Sequence, residues 1–270
     1  MPSSTSGAGD KEEFVASLAR GLAVLRAFGP DTPQLTLSEV AAATGLSPAV
    51  ARRFLHTLVR LGYAAHDGKR FMLRPAVLEL AAGYLSSINI AQLAQPHLQQ
   101  LRDTTDDSTS LVALDGDDVI HVCYVPSRRR YRFTVTNGTR EAAYASAPGR
   151  VILANLDAAG LDEFLSRARL EARTDRTETS EAGLREILDE VRQRGYAVVV
   201  DELEYGITGI AVPVIDGTTV VGAVGCVTPS GYQTADELVA TRLPAIRTAA
   251  EHIAEELRRF PAFADSVRWS

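Results

Sequence analysis

Six basic side chains fall between Ser47 and Arg74, namely Arg52, Arg53, Arg60, Lys69, Arg70 and Arg74, against one acid, Asp67. That is a local charge of +5 in a chain whose formal net charge is −6. Cationic groups gathered in this way bind phosphate. An arginine that also faces a base edge can bond bidentately to guanine O6 and N7, worth about 1–3 kcal/mol of discrimination. At about 100° per residue, Ala49, Arg52, Arg53, His56 and Arg60 fall on one side of a helix, and Val50, Ala51, Phe54, Leu55, Leu58 and Leu61 on the other. One face is core and the other is basic.

The preceding residues position that helix. Leu37, Val40, Ala41 and Leu46 have the spacing of a short amphipathic helix, with Ser38 able to cap it and Gly45 able to take the positive φ of a tight turn. Ser47 then starts a second helix, with Pro48 in its first turn. This describes a helix-turn-helix whose second member can lie in a major groove of double-stranded DNA. The next stretch, YAAHDGKRFMLR (Tyr63 to Arg74), reads as two apolar pieces around a two-residue Asp67-Gly68 turn, a wing with Lys69 and Arg70 just past its tip. The candidates for reading the duplex are Ser47, Ala49, Arg52, Arg53 and His56. For Arg53 and Arg60 a phosphate contact fits equally well, and Ser38 and Arg20 are weaker candidates for positioning on phosphate. A helical hairpin with a merely solvated basic face is the plainer alternative.

A second set of residues could hold an anion. In ASAPGR (Ala145 to Arg150), Ser146 and Ala147 precede a proline in the first turn of a helix, and the N–H groups of Gly149 and Arg150 are expected free to accept a carboxylate. Ordinary capping by Ser146 is the competing reading. Asp201, Glu202 and Glu204 invite an acid/base reading, but no matched pair or leaving-group site accompanies them, and turns between strands are commonly acidic. His121 and Cys123 alternate onto one strand face, where they would form a metal or redox pair. Two ligands without a third make a packed histidine and a buried thiol the better reading, so neither metal nor cofactor is expected. Arg128 to Arg130 fit a carboxylate contact, a subunit interface or a solvated charge run.

The elements that carry these sets follow in chain order. Phe14, Leu18, Leu22, Leu25 and Phe28 predict a helix over 13–28 that packs behind the helix-turn-helix and ends at Gly29-Pro30. Residues 76–88 are apolar around most of a helical circumference and read as a linker helix buried against a second subunit, or as a buried helix of one domain. Helix 90–104, a hairpin and further strand over 110–138, helices 160–168 and 181–194, strands 196–200, 209–215 and 220–227, and a helix from 234 to 260 complete an α+β domain, an antiparallel sheet covered by helices. The expected division is a leader over 1–12, a winged helix-turn-helix over 13–75, a linker over 76–89, an effector domain over 90–260 and a tail over 261–270.

Residues 1–90 carry nine basic and seven acidic side chains, and residues 91–270 nineteen and twenty-seven. The sign change assigns nucleic acid to the first part only. With 270 residues and 46 % hydrophobic content, two globular domains fit. Two cysteines far apart exclude a disulfide framework, and the Ser/Gly-rich leader lacks the basic start and apolar run of a signal peptide. No segment approaches the roughly 20 apolar residues that cross a bilayer, so no membrane is expected and a reducing cytoplasm is the natural location.

SLARGLAVLRAF (Ser17 to Phe28), LVRLGY (Leu58 to Tyr63), YASAPGRVILA (Tyr144 to Ala154), RQRGYAVVVDELEYGITGIAVPV (Arg192 to Val214) and VVGAVGCV (Val220 to Val227), together with the helix-turn-helix, resemble an IclR-type bacterial transcriptional regulator over about residues 14–260. SLARGLAVLRAFG and the Arg128 to Arg130 run are similar to the branch that regulates breakdown of protocatechuate, 4-hydroxybenzoate and related aromatic acids. The resemblance implies a winged helix-turn-helix, a linker helix and a GAF-like effector domain, assembled as a homodimer or dimer of dimers on palindromic operator DNA. It also implies that Asp201, Gly209, Gly225 and Val227 form the wall opposite ASAPGR. The sequence departs from the family there: cysteine is usual at the position of Gly209, and small polar residues, often serines, at those of Gly225 and Val227. The resulting pocket is roomier and less polar, which favours an aromatic acid as the small-molecule effector over a small keto acid. Two rivals are an enzyme that turns over a small acid, its basic N-terminal domain serving assembly, and an architectural DNA-binding protein whose second domain only oligomerises.

Overall fold

The computed structural model describes residues 14–29, 31–80, 90–129 and 135–258. The chain divides into two compact units, Met1–Tyr84 and Leu85–Ser270.

In the first unit, α1 (Ala16–Arg26), α2 (Leu37–Thr44) and α3 (Pro48–Arg60) enclose a small core of Val24, Leu35, Val40, Ala41, Ala51, Leu55, Leu58, Ala64 and Phe71. Thr36, not Ser38, caps α2: its Oγ1 accepts from the Glu39 N–H at 3.3 Å while Glu39 Oε2 accepts from the Thr36 N–H at 2.7 Å. This reciprocal box outcompetes a lone serine, and Ser38 sits exposed one turn position inside the helix. Gly45 takes the left-handed conformation at φ 65°, and Ser47 caps α3 by accepting from the Val50 N–H at 3.4 Å. A three-stranded sheet of β1 (Gln34–Leu35), β3 (Phe71–Leu73) and β2 (Ala64–His66), in that order, forms the wing.

Three further expectations for this unit change. The helix before the motif runs over 16–26, and the Phe14, Leu18 and Leu22 stripe is exposed, because α1 turns Val24, with Leu25 and Phe28, toward the core instead. Leu61 is likewise exposed, lying past the end of α3. The wing turn centres on Gly68 and Lys69 rather than Asp67-Gly68: the Asp67 N–H donates to the Arg70 carbonyl at 3.1 Å, and Asp67 Oδ1 accepts from the Lys69 and Arg70 N–H groups at 2.9 and 2.7 Å. A carboxylate in the first position has taken over bonds the backbone would otherwise make.

Of the expected linker helix, residues 81–89 lie outside the described residues. The described part is a 3-10 turn, Pro75–Val77, with helical backbone continuing over 78–80.

The second unit is built on a six-stranded antiparallel sheet of β4 (Ser108–Asp115), β5 (Asp118–Val125), β6 (Arg140–Ala142), β7 (Ala197–Val200), β8 (Ile207–Asp216) and β9 (Thr219–Pro229), in the order β6-β5-β4-β9-β8-β7. Much of the strand expected within 110–138 lies outside the described residues, and β6 follows at 140–142. On one face α4 (Ile90–Thr105) and α8 (Ala235–Leu257) pack over Leu111, Cys123, Ile210, Val224 and Cys226. On the other, α5 (Ala147–Ala154), α6 (Ala158–Arg167) and α7 (Glu181–Arg194) pack over Val112, Val119, Ala211 and Ala223. Two apolar cores flanking one sheet explain why its central strands read as near-continuous apolar runs.

Candidate DNA-binding and effector sites

The surface of α3 is sorted as its sequence pattern requires. Ala51, Leu55 and Leu58 are buried, while Ala49, Arg52, Arg53, His56 and Arg60 are exposed beside the exposed cap Ser47. His56 sits where helix meets wing, its ring perpendicular to that of Phe71 with centroids 6.1 Å apart, and Phe71 stacks on His66 at 4.2 Å. Lys69 projects at the wing tip. Arg70 folds back, donating from Nη1 to the Gln34 carbonyl at 3.1 Å, though its side chain stays partly exposed.

In the second unit a cavity of about 640 Å³ opens over the face of β5, β9 and β8. The start of α5 enters it through Ala145, Ser146, Ala147 and Pro148, and Gly209 and Val227, paired across β8 and β9, form part of its floor. Four of the sequence-derived effector candidates, Ser146, Ala147, Gly209 and Val227, are thus brought together. A Cβ added at Gly209 would meet Ala147 Cβ at 3.4 Å, an ordinary contact, so the glycine leaves room there.

The other four do not line the cavity. The N–H groups of Gly149 and Arg150 are engaged rather than free, donating to Ser146 Oγ at 3.2 Å and to the Ser146 carbonyl at 3.0 Å. Gly149 is needed for another reason: an added Cβ would lie 2.2 Å from the Ala143 carbonyl oxygen. Gly225 sits deeper along β9, where a Cβ would press on the Ile210 carbonyl oxygen at 3.0 Å. Arg150 is 2 % exposed and spent on structure, donating from Nε to the Tyr144 carbonyl at 2.8 Å and from both Nη atoms to Glu202 at 2.7 and 2.5 Å. Asp201, at φ 57°, organises the 201–206 turn by accepting from Ser230 Oγ at 2.6 Å, the Gly206 N–H at 2.8 Å and Arg176 Nη1 at 2.8 Å. The Ser230 hydroxyl foremost, then the Gly206 amide and Arg176, hold its carboxyl below the usual range.

The acidic cluster therefore divides by role: Asp201 builds a turn, Glu202 pairs with Arg150, and Glu204 lines the cavity. Arg128 and Arg129 are held by Asp103 and Asp106 at 3.2 and 2.9 Å; Arg130 lies outside the described residues.

His121 and Cys123 do not share a face. In the ladder Val112 pairs with His121 and Leu111 with Cys123, so Val122 is an extra residue, a β-bulge. Past the bulge the alternation resets, and His121 and Tyr124 both line the cavity while Cys123 points to the opposite core, near the Ala91 carbonyl at 3.6 Å. Burial raises both thiols, that of Cys123 to about 11. Sequence reasoning missed Tyr124, Arg173 and Tyr205 as lining residues; a bulge carries no period of its own, and only a surplus residue against a known partner strand would have shown it.

A winged helix-turn-helix with an exposed basic face, in one chain with a cavity-bearing sheet domain, is the build of a DNA-binding regulator that answers to a small molecule. Residues 17–68 match the IclR helix-turn-helix domain and residues 82–255 the bacterial transcriptional regulator IclR C-terminal domain. The chain belongs to the IclR family and is a transcriptional regulator, not an enzyme. It is 38 % identical to the Pca regulon regulatory protein of Pseudomonas putida, over 91 % of this chain and 85 % of that one. It is 36 % identical to the p-hydroxybenzoate hydroxylase transcriptional activator of Acinetobacter baylyi, over 90 % and 92 %. Among solved structures, a double mutant of the PobR inducer-binding domain from Acinetobacter, in complex with 3-hydroxybenzoic acid, matches at 31 % identity and a TM-score of 0.55, over 62 % of this chain and 97 % of that one.

Proposed function

We propose that this regulator senses an aromatic carboxylic acid in the cavity of its second unit and thereby controls the binding of paired winged units to a palindromic operator, in the cytoplasm. The observation that carries the reading is the cavity itself: about 640 Å³, with the start of α5 in its wall and a floor of Gly209 and Val227. Because Ser146 already satisfies the Gly149 and Arg150 amides, the donors left for a carboxylate are the Ala147 N–H and the Ser146 hydroxyl, with the Arg173 guanidinium at the rim. The relatives named for p-hydroxybenzoate and for the Pca regulon, and the 3-hydroxybenzoate complex at 31 % identity, support an aromatic acid.

Assembly as a homodimer, or a dimer of dimers, is supported by the stripe on α1 and before it, where Phe14, Leu18 and Leu22 are 69, 63 and 43 % exposed at helical spacing. A ligand changes operator affinity only through unequal affinity for the two arrangements of the assembly. The test is a mobility shift on the DNA flanking the protein's own gene, with and without protocatechuate and 4-hydroxybenzoate. A specific, salt-sensitive shift that one of the acids alters is expected; a specific shift indifferent to every aromatic acid would overturn the effector class.

A further inference from the structure

Four buried side-chain polar atoms lack a hydrogen-bond partner among the described residues, and three of them belong to His121 and Tyr124: both ring nitrogens of the one and the hydroxyl of the other. Burying such atoms without partners is costly, and native proteins leave few of them. Here both residues line one cavity. His121 is 3 % exposed, its ring nearly perpendicular to that of Tyr124 at a centroid distance of 6.0 Å. The bulge at Val122 puts the two on the cavity face although they stand three apart in sequence. Glu141, on neighbouring β6, holds an oxygen 3.1 Å from His121 Nε2, within ion-pair range but without the alignment of a hydrogen bond. The Ser108 hydroxyl accepts from the Ser127 N–H at 3.0 Å and lies beside Tyr124, whose pKa burial raises and this hydroxyl lowers by less. Arg140 also lines this end, but its guanidinium is occupied by Asp115 and Asp118.

We infer that His121 and Tyr124 form the pole of the effector cavity that reads a hydroxyl on the ligand's ring, at the opposite end from the carboxylate-accepting start of α5. The inference rests on the aromatic-acid reading of that cavity. Charge decides which end is which. A second carboxylate at the His121 pole would face the Glu141 carboxylate, whereas a hydroxyl both donates and accepts: it can donate to Glu141 or to a bare ring nitrogen of His121 and accept from the Tyr124 hydroxyl, which burial keeps protonated by raising its pKa. The α5 end offers donors, with Arg173 as its unpaired cation among the described residues.

The span fits as well. His121 on β5 and Gly209 on β8, against which Ala147 sits, are three strand spacings apart in the order β5-β4-β9-β8, or about 14 Å between strand axes at about 4.8 Å each. A 4-hydroxybenzoate measures about 6 Å between its carboxylate and hydroxyl oxygens by ordinary bond lengths. A hydrogen bond of about 2.8 Å at each end extends this to roughly 12 Å. A hydroxyl para to the carboxylate reaches the far pole; one ortho to it does not.

The test is isothermal titration of the full chain with benzoate, 2-hydroxybenzoate and 4-hydroxybenzoate, in wild type, His121→Leu, His121→Gln and Tyr124→Phe. Wild type should prefer 4-hydroxybenzoate over benzoate by about tenfold to a hundredfold, the range of one to two hydrogen bonds in a buried site, and treat 2-hydroxybenzoate like benzoate. His121→Leu should bring that preference within about threefold while benzoate affinity stays put, His121→Gln should keep part of it, and Tyr124→Phe should lower it several-fold. A structural role would move all the acids together. Equal binding of 4-hydroxybenzoate and benzoate by wild type overturns the inference. So does a preference left intact in His121→Leu or, should that variant not fold, in Tyr124→Phe, which removes a single oxygen. Failure of the wild type to bind any of the three acids brings down the aromatic-acid reading, and the inference with it.

Discussion

Replacing Arg150 with methionine tests whether the effector cavity is held open by one buried ion pair. The guanidinium ties two segments that both supply cavity wall: residues 144–146, through the Tyr144 carbonyl, and residues 202–205, through Glu202. Methionine fills much of the volume but abandons Glu202, whose side chain is 15 % exposed and keeps one donor, the Glu178 N–H at 3.2 Å. Breaking a buried pair by removing one partner costs about 3–5 kcal/mol. The residual donor and the partial hydration place this case near the lower end, about 3 kcal/mol. In a unit of this size each kcal/mol moves the melting temperature by about 2–4 °C, so the second unit should melt roughly 6–12 °C lower. Scanning calorimetry of the full chain would read this against an unchanged transition of the winged unit, and titration would show weakened effector binding. The double variant Arg150→Met/Glu202→Leu should recover most of the loss, since apolar residues can replace a buried pair at little cost. A single variant that melts within about 2 °C of wild type and binds effector normally would refute the reasoning.

Arg52→Ala should weaken operator binding by about tenfold to a hundredfold if Arg52 bonds to a base, and Lys69→Ala should weaken specific and nonspecific DNA alike while lowering the salt slope by about one; mobility shifts at several salt concentrations separate the two. Gly209→Ala should fold normally, because its Cβ meets Ala147 at 3.4 Å, and Gly209→Leu should fill the cavity and abolish the acid-induced thermal shift, whereas Gly149→Ala should destabilise the unit outright through the 2.2 Å approach to Ala143. Asp201 has a lowered folded-state pKa, so its contribution is complete above its ordinary value near pH 4 and disappears as pH falls through the depressed one. Asn tolerates the same positive φ, so Asp201→Asn should reduce stability at neutral pH and flatten the acid limb of stability against pH; a parallel acid limb would remove the charge from the account.

The DNA-binding unit was legible because its signals are local. Gly45 needs its left-handed turn whatever surrounds it, and the sorting of Arg52, Arg53 and His56 from Ala51, Leu55 and Leu58 follows from helical period alone. Period did not say which apolar stripe of α1 would meet the core, since Val24 and the Phe14-Leu18-Leu22 stripe both satisfy it and only packing chooses.

The proposed effector site divides along the same line. Consecutive residues and alternation were enough to read an antiparallel α+β domain and a helix starting near Ser146, whose capping role was one of two readings, while the wall at Gly209 was implied by the family resemblance. That Arg150 is a strut, that Gly149 serves the close crossing at Ala143, and that His121 belongs with Tyr124 and Glu141 rather than with Cys123 became visible in the packed chain alone. Those assignments depend on partners up to about fifty residues away, and on one unpaired residue in a ladder, which fixes the faces of β5 only once β4 lies beside it.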